Sequence, residues 1–116
     1  PQHPKELERI FKNNGYIDHH GKLNGHVAVS RAIGDTICHP ALSSVPELLF
    51  RERRSDDRAI VIACDGVWDV LTTREVCEIV LMHAALPAHR IAAIIRDTAF
   101  ARNSFDNITC IVCKFL

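Results

Sequence analysis

The sequence predicts an α+β layered domain with a mostly antiparallel sheet, and three observations carry that reading. Runs rich in β-branched residues at 58–64 and 107–115 have the composition of strands. Two segments of helical spacing lie between them, over 72–83 and 87–98. The order of elements (helix, strands, two helices, strand) segregates the two kinds of structure, which favours helices laid on one face of an antiparallel sheet.

The first element, 4–14, reads as a helix. Pro4 suits a first turn, Leu7, Ile10 and Phe11 make an apolar stripe, and Gly15 stands where a C-terminal cap is expected. Residues 16–18 and 23–30 read as strands, with Asn24-Gly25 a turn or bulge between or within them. Residues 30–44 have an irregular composition, and 45–53 read as a weak strand. Ser55-Asp56-Asp57 is a turn signal. Ile60, Val61 and Ile62 are consecutive, so the strand at 58–64 is expected to be buried on both faces. Asp65-Gly66 ends it. Thr72 and Glu75 have capping-box spacing, and Val76, Ile79, Val80 and His83 follow on one face. Pro87 opens the next helix, with Ile91, Ile94, Ile95 and Thr98 on one side.

The 116 residues suffice for one small domain with a modest core. Lys and Arg number 14 and so do Asp and Glu, so no basic surface points to nucleic acid and no bulk charge to a membrane. No apolar run approaches the roughly 20 residues of a membrane helix, and no signal or transit segment is visible. The chain opens Pro1-Gln2-His3-Pro4, as expected of a piece of a longer protein. Five cysteines, an odd number without framework spacing, point to reduced thiols and a cytoplasmic or nuclear location. Cys64, Cys110 and Cys113 lie in apolar runs and read as small buried hydrophobes. Cys110 and Cys113, three apart on a strand, face opposite sides and make no metal or redox pair. The seven histidines show no ligand spacing. His19-His20 reads as turn surface, and His83 as packed on its helix face.

Chemistry concentrates in two short segments. Ala63-Cys64-Asp65-Gly66-Val67-Trp68-Asp69 follows the strongest strand, and Asn103-Ser104-Phe105-Asp106-Asn107 precedes the last one. If those strands are antiparallel neighbours, Asp65 and Asp106 meet at one sheet edge. Two converging carboxylates suit a hard divalent cation, and Gly66 would let the chain turn tightly beside it. Asp-Gly and Asp-Asn are also ordinary turn dipeptides, so both readings stand on the residues alone.

Three stretches in order resemble the C-terminal motifs of the metal-dependent type 2C serine/threonine protein phosphatases. They are the segment from Leu23-Asn24-Gly25-His26 to Ala32-Ile33-Gly34-Asp35, the segment from Ile60-Val61-Ile62 to Asp69-Val70-Leu71, and Ser104-Phe105-Asp106-Asn107-Ile108-Thr109. Glu8-Arg9-Ile10 and Val45-Pro46-Glu47 extend the resemblance over essentially the whole chain. It implies that residues 1–116 form the C-terminal part of a catalytic domain, within a four-layer α-β-β-α sandwich of antiparallel sheets. It also implies Mg2+ or Mn2+ ions, two with a third in some members, activating a water that hydrolyses phosphoserine and phosphothreonine on proteins. By motif, Asp65 and Asp106 match direct metal ligands, and Asp69 matches the aspartate of the additional metal. Trp68 reads as a packing anchor. Ser30, Arg31 and Asp35 match a structural motif near the site, and Ser30 is no nucleophile.

The departures are as specific. The family's Asp-Gly-His-Gly segment, the acidic residue for its second metal and its phosphate-binding arginine have no counterpart here. The stretch 36–44 is short where a longer flap is usual, and His39 stands near a usual lysine. Two carboxylates cannot satisfy two cations that each take about six oxygens. The isolated chain is therefore expected to show little or no activity, and to associate through an exposed sheet or with the missing N-terminal half. The alternative is an adaptor or regulator that keeps the fold without the activity.

Overall fold

The computed structural model describes residues 1–115. Two compact units divide the chain, Pro1–Arg51 and Glu52–Leu116.

In the first unit, helix α1 spans Pro4–Lys12 with Pro4 in its first turn. Its end differs from the expected glycine cap. Asn14 takes the left-handed conformation (φ 57°), while the Asn14 and Gly15 N–H groups donate to Phe11 O at 3.1 Å and Ile10 O at 2.9 Å. This is the paired closure of a Schellman motif, with asparagine in the glycine role. Gly15 is buried for a different reason: a Cβ there would lie 2.5 Å from Ala41 Cβ and 2.9 Å from Ile10 Cγ2. Ile10 is fully buried with Leu23, Cys38, Ala41 and Leu42, whereas Phe11 is exposed, so only part of the expected stripe faces the core.

The strands expected at 16–18, 23–30 and 45–53 do not form. Isolated bridges Ile17↔Leu23 and Leu23↔Val27 stand in for the first two. Asn24 and Gly25 both have positive φ and fold the backbone back so that Leu23 N–H donates to Val27 O at 2.7 Å, and the turn consumes the bonds a strand would use. Along 45–53 the apolar residues Val45, Leu48, Leu49 and Phe50 are exposed, with no ladder to hold them. A one-turn 3-10 helix, Thr36–Cys38, interrupts the irregular stretch and buries Cys38.

Polar bonds tie this unit together. Arg9 donates to Ala41 O and to Ser30 O, each at 2.7 Å, and pairs with Glu6 at 2.9 Å. Arg31 pairs with Glu6 at 2.7 Å and donates to Val45 O. Hydrogen bonds from Arg31 and then Arg9 hold the Glu6 carboxyl down to about 2.

The second unit holds the sheet. Strand β1 (Ala59–Ala63) runs antiparallel to β2 (Cys110–Lys114), in register from Ala59↔Lys114 to Ala63↔Cys110. The expected turn precedes β1, with Asp57 N–H donating to Arg54 O at 3.2 Å and Asp57 Oδ2 accepting from Arg54 N–H at 2.8 Å. Helix α2 is a single turn, Asp65–Trp68, directly after β1. Helix α3 (Thr73–Met82) starts on the expected capping box, both of whose bonds form. Helix α4 (Ala88–Ala101) follows Pro87.

Val67, Leu71, Val76, Val80, Ile91, Ile95 and Ala99 pack with Val112 into one buried cluster, so the helices cover one face of the β1/β2 pair as expected. Each fully buried aliphatic side chain there contributes about 1.5–3 kcal/mol. The other face corrects the expectation of a strand buried on both sides. Ile60 is 49%, Ile62 58% and Ile111 53% exposed, because β1 alternates between faces and only one face has helices on it. Cys113 is likewise exposed rather than core, and Cys64 and Cys110 are half-buried. His83 is half-buried at the end of α3, while His19 and His20 lie exposed in a turn. The fold is α+β with an antiparallel sheet. Among the described residues, no helix is long and apolar enough to cross a membrane.

Candidate metal centre

The pairing of β1 with β2 puts the C-terminal end of one strand beside the N-terminal end of the other, as the carboxylate argument requires. Beyond Ala63 the chain turns at once into α2. Cys64 is the residue before that turn, and Asp69 N–H donates to Asp65 O at 2.9 Å. Asp65 and Asp69 are thus four apart on one helical turn, the spacing at which side chains lie over each other. The sequence places both aspartates but not this helical turn, since four residues carry no readable period.

Asp106 reaches the same place from the end of α4. Asn103 has a left-handed φ of 61°, Asn103 N–H donates to Phe100 O at 3.0 Å, and Ser104 N–H donates to Ala99 O at 3.2 Å. This second Schellman closure turns the chain sharply out of α4 toward β2. The two segments then press together. A Cβ on buried Gly66 would collide with the Asn107 carbonyl oxygen and would stand 3.5 Å from Asp106 Cβ. Glycine at 66 is required by this close approach, not by its φ.

Four further hydrogen bonds join the segments. Ser104 Oγ donates to Gly66 O at 2.6 Å. Cys64 Sγ donates to Asn107 O at 3.0 Å and accepts from Thr109 N–H at 3.1 Å. Cys64 N–H donates to Thr109 O at 3.1 Å. The motif spacing gave no role to Ser104 or Cys64, because their partners lie 38 to 45 residues away. Burial first, and the neighbouring Cys64 second, push the Cys110 thiol up.

Asp65, Asp69 and Asp106 are all exposed. Asp69 and Asp106 line one open depression with Val70, Asn103, Ser104 and Phe105. Asp65 Oδ1 accepts from Gly66 N–H at 3.1 Å and Asp106 Oδ1 from Asn107 N–H at 2.6 Å, which leaves each carboxylate an uncommitted oxygen. Among the described residues, no Lys or Arg side chain pairs with any of the three. Such an all-oxygen, anionic and unneutralised set fits Mg2+ or Mn2+ in kind. It is incomplete in number, since no group of three or more His, Cys, Asp or Glu among the described residues is arranged to hold an ion.

Trp68 is held by a hydrogen bond rather than by burial in the core: its indole N–H donates to Ala63 O at 2.9 Å while the residue is 38% exposed. Ser30, Arg31 and Asp35 belong to the other unit. There Arg31 bonds Glu6 and Val45, Ser30 O accepts from Arg9, and Asp35 opens the 3-10 turn with φ 44°.

The family described as Protein phosphatase 2C matches residues 1–108. Among curated proteins, Probable protein phosphatase 2C 68 of rice is 34% identical, over 97% of this chain and 33% of its own length. Protein phosphatase 2C homolog 2 of Aspergillus fumigatus is 35% identical, over 100% of this chain and 31% of its own length. Probable protein phosphatase 1N of mouse is 32% identical, over 99% and 31%. The chain therefore spans about a third of the length of these relatives. Among solved structures, a C. elegans sex-determining protein superimposes with a TM-score of 0.88 at 26% identity, over 98% of this chain and 30% of that one. A serine-threonine phosphatase 2C of Toxoplasma gondii gives 0.76 at 25% identity, over 100% and 45%. With its motifs in order, its antiparallel pair at the heart of the second unit and its aspartates at the pair's edge, this chain belongs to the protein phosphatase 2C family.

Proposed function

We propose that residues 1–116 are the C-terminal part of the catalytic domain of a metal-dependent phosphatase acting on phosphoserine and phosphothreonine in proteins. The observation that carries the reading is the meeting of the Asp65-Gly66 turn with Asp106-Asn107. Three exposed aspartates at one edge would repel a phosphate dianion unless a cation neutralised them. Asp65 and Asp106 are the direct ligands, and Asp69 belongs to an additional ion. When bound, Mg2+ or Mn2+ supplies charge neutralisation to the phosphate and acidity to water.

The chain's own residues support water over a covalent nucleophile. The hydroxyl and thiol at this junction, Ser104 and Cys64, both donate to backbone carbonyls, so neither is free to attack. The remaining ligands come from outside this chain, and the isolated chain has little or no activity. Five free thiols favour a reducing compartment, the cytoplasm or nucleus.

The test is Mn2+-dependent hydrolysis of a phosphothreonine peptide by the complete protein. Asp65→Asn and Asp106→Asn should each lower turnover by more than about 100-fold, beyond the effect of losing an outer-shell partner. Efficient hydrolysis by the 116-residue chain alone would overturn the partial-site reading. A complete protein that neither binds Mn2+ nor hydrolyses the peptide would favour the adaptor.

A further inference from the structure

The structure assigns Ser104 and Cys64 as positioning residues for Asp65 and Asp106, each strapping the segment that carries the other's aspartate. The assignment rests on the metal reading above. Cys64 precedes Asp65, and its Sγ grips the backbone just past Asp106, donating to Asn107 O at 3.0 Å and accepting from Thr109 N–H at 3.1 Å. Ser104 lies two residues before Asp106, and its Oγ grips the backbone just past Asp65, donating to Gly66 O at 2.6 Å. The straps are reciprocal and cross the junction in opposite directions. Between them sits a close backbone approach, Gly66 against Asn107 O.

The register of the sheet runs from Ala59↔Lys114 to Ala63↔Cys110, and both side-chain bonds fall outside it. Both side-chain straps lie at the ladder's end, where the last backbone bond, Cys64 N–H to Thr109 O at 3.1 Å, stops short of Asp65 and Asp106 themselves. Carboxylates on a loop and a single helical turn would otherwise rotate freely, and a cation demands oxygens within a few tenths of an ångström. Such supporting groups orient ligands without touching the ion, and losing one typically costs roughly 10–100-fold in metal affinity.

The experiment measures Mn2+ binding to the complete protein, without substrate, by the electron paramagnetic resonance signal of free Mn2+. Ser104→Ala and Cys64→Ala should each weaken binding roughly 10–100-fold, and Ser104→Thr and Cys64→Ser should recover most of it. Ile95→Val, in the buried cluster, serves as a control that lowers the melting temperature without touching the straps. It should leave Mn2+ affinity unchanged. Unchanged affinity in Ser104→Ala and Cys64→Ala, or an equal loss in Ile95→Val, would overturn the positioning role while the metal reading stood. Wild-type protein that binds no Mn2+ would overturn the metal reading itself, and this assignment with it.

Discussion

Glu75 and Arg102 join the start of one helix to the end of another. Arg102 Nη1 lies 2.6 Å from Glu75 Oε1, while Glu75 Oε2 accepts from Thr72 N–H at 2.8 Å and from Thr72 Oγ1 at 2.7 Å. One carboxylate thus closes the cap of α3 and ties it to the residue that ends α4. Arg102 also donates to Val70 O at 3.3 Å, next to Asp69. The pair thus links the start of α3, which follows the Asp65–Asp69 segment, to the end of α4, which precedes Asp106.

Removing the cap tests the link. Thr72→Ala should cost about 1 kcal/mol, since the hydroxyl satisfies one of the orphan N–H groups of the first turn. Thermal melting followed by circular dichroism reads the loss. Thr72→Ser, which keeps the acceptor, should melt close to wild type.

Acid should weaken the fold at two carboxyls. Hydrogen bonds from Thr72, then Arg102, hold Glu75 down to about 2, and those from Arg31 and Arg9 do the same for Glu6. Both folded values lie below the ordinary glutamate value of 4.5. The stability they contribute is therefore present above 4.5 and is lost as pH falls toward about 2. Urea midpoints taken from pH 6 down to pH 2 should fall, and Glu6→Gln with Glu75→Gln should flatten the decline. An equally steep decline in the double variant would contradict the assignment.

Gly66→Ala places a Cβ against the Asn107 carbonyl oxygen. Overpacking of this kind costs about 1–3 kcal/mol. Because the clash lies at the junction of the two aspartate segments, Mn2+ binding by the complete protein should fall with the melting temperature. Gly34→Ala, where a Cβ meets nothing within 4 Å, bears only the strain of its φ of 95° and should leave Mn2+ binding alone.

The bare sheet face predicts association of the 116-residue chain. Ile60, Ile62 and Ile111 are about half exposed on adjacent antiparallel strands. Sedimentation should show oligomers or poor solubility, and Ile62→Lys with Ile111→Lys should shift the chain toward monomer. A highly soluble wild-type monomer would overturn this.

What could be read from the sequence acts over short distances. The capping box at Thr72 and Glu75, the β-branched strands and the helix after Pro87 all depend on residues within a turn or two of each other. Asp65, Asp69 and Asp106 were legible as motif positions for the same reason. The strands expected at 16–18, 23–30 and 45–53 failed because a strand exists only with a partner. Asn24-Gly25 turned the chain back on itself, and among the described residues no strand runs along 45–53. Asn14 rather than Gly15 closes α1, and the burial of Gly15 against Ala41, 26 residues away, leaves no trace in the local pattern.

By itself, the sequence determined the family, the α+β class and which carboxylates are candidates. Only the tertiary structure decided that Asp65 and Asp69 share one helical turn and that the Asp106-Asn107 backbone packs against Gly66. It alone showed Ser104 and Cys64 strapping the junction, and one face of the sheet left bare. The division follows from range. Caps and strand propensities are set by neighbours along the chain, whereas the bond from Ser104 to Gly66 spans 38 residues and exists only once β1 and β2 have found their register.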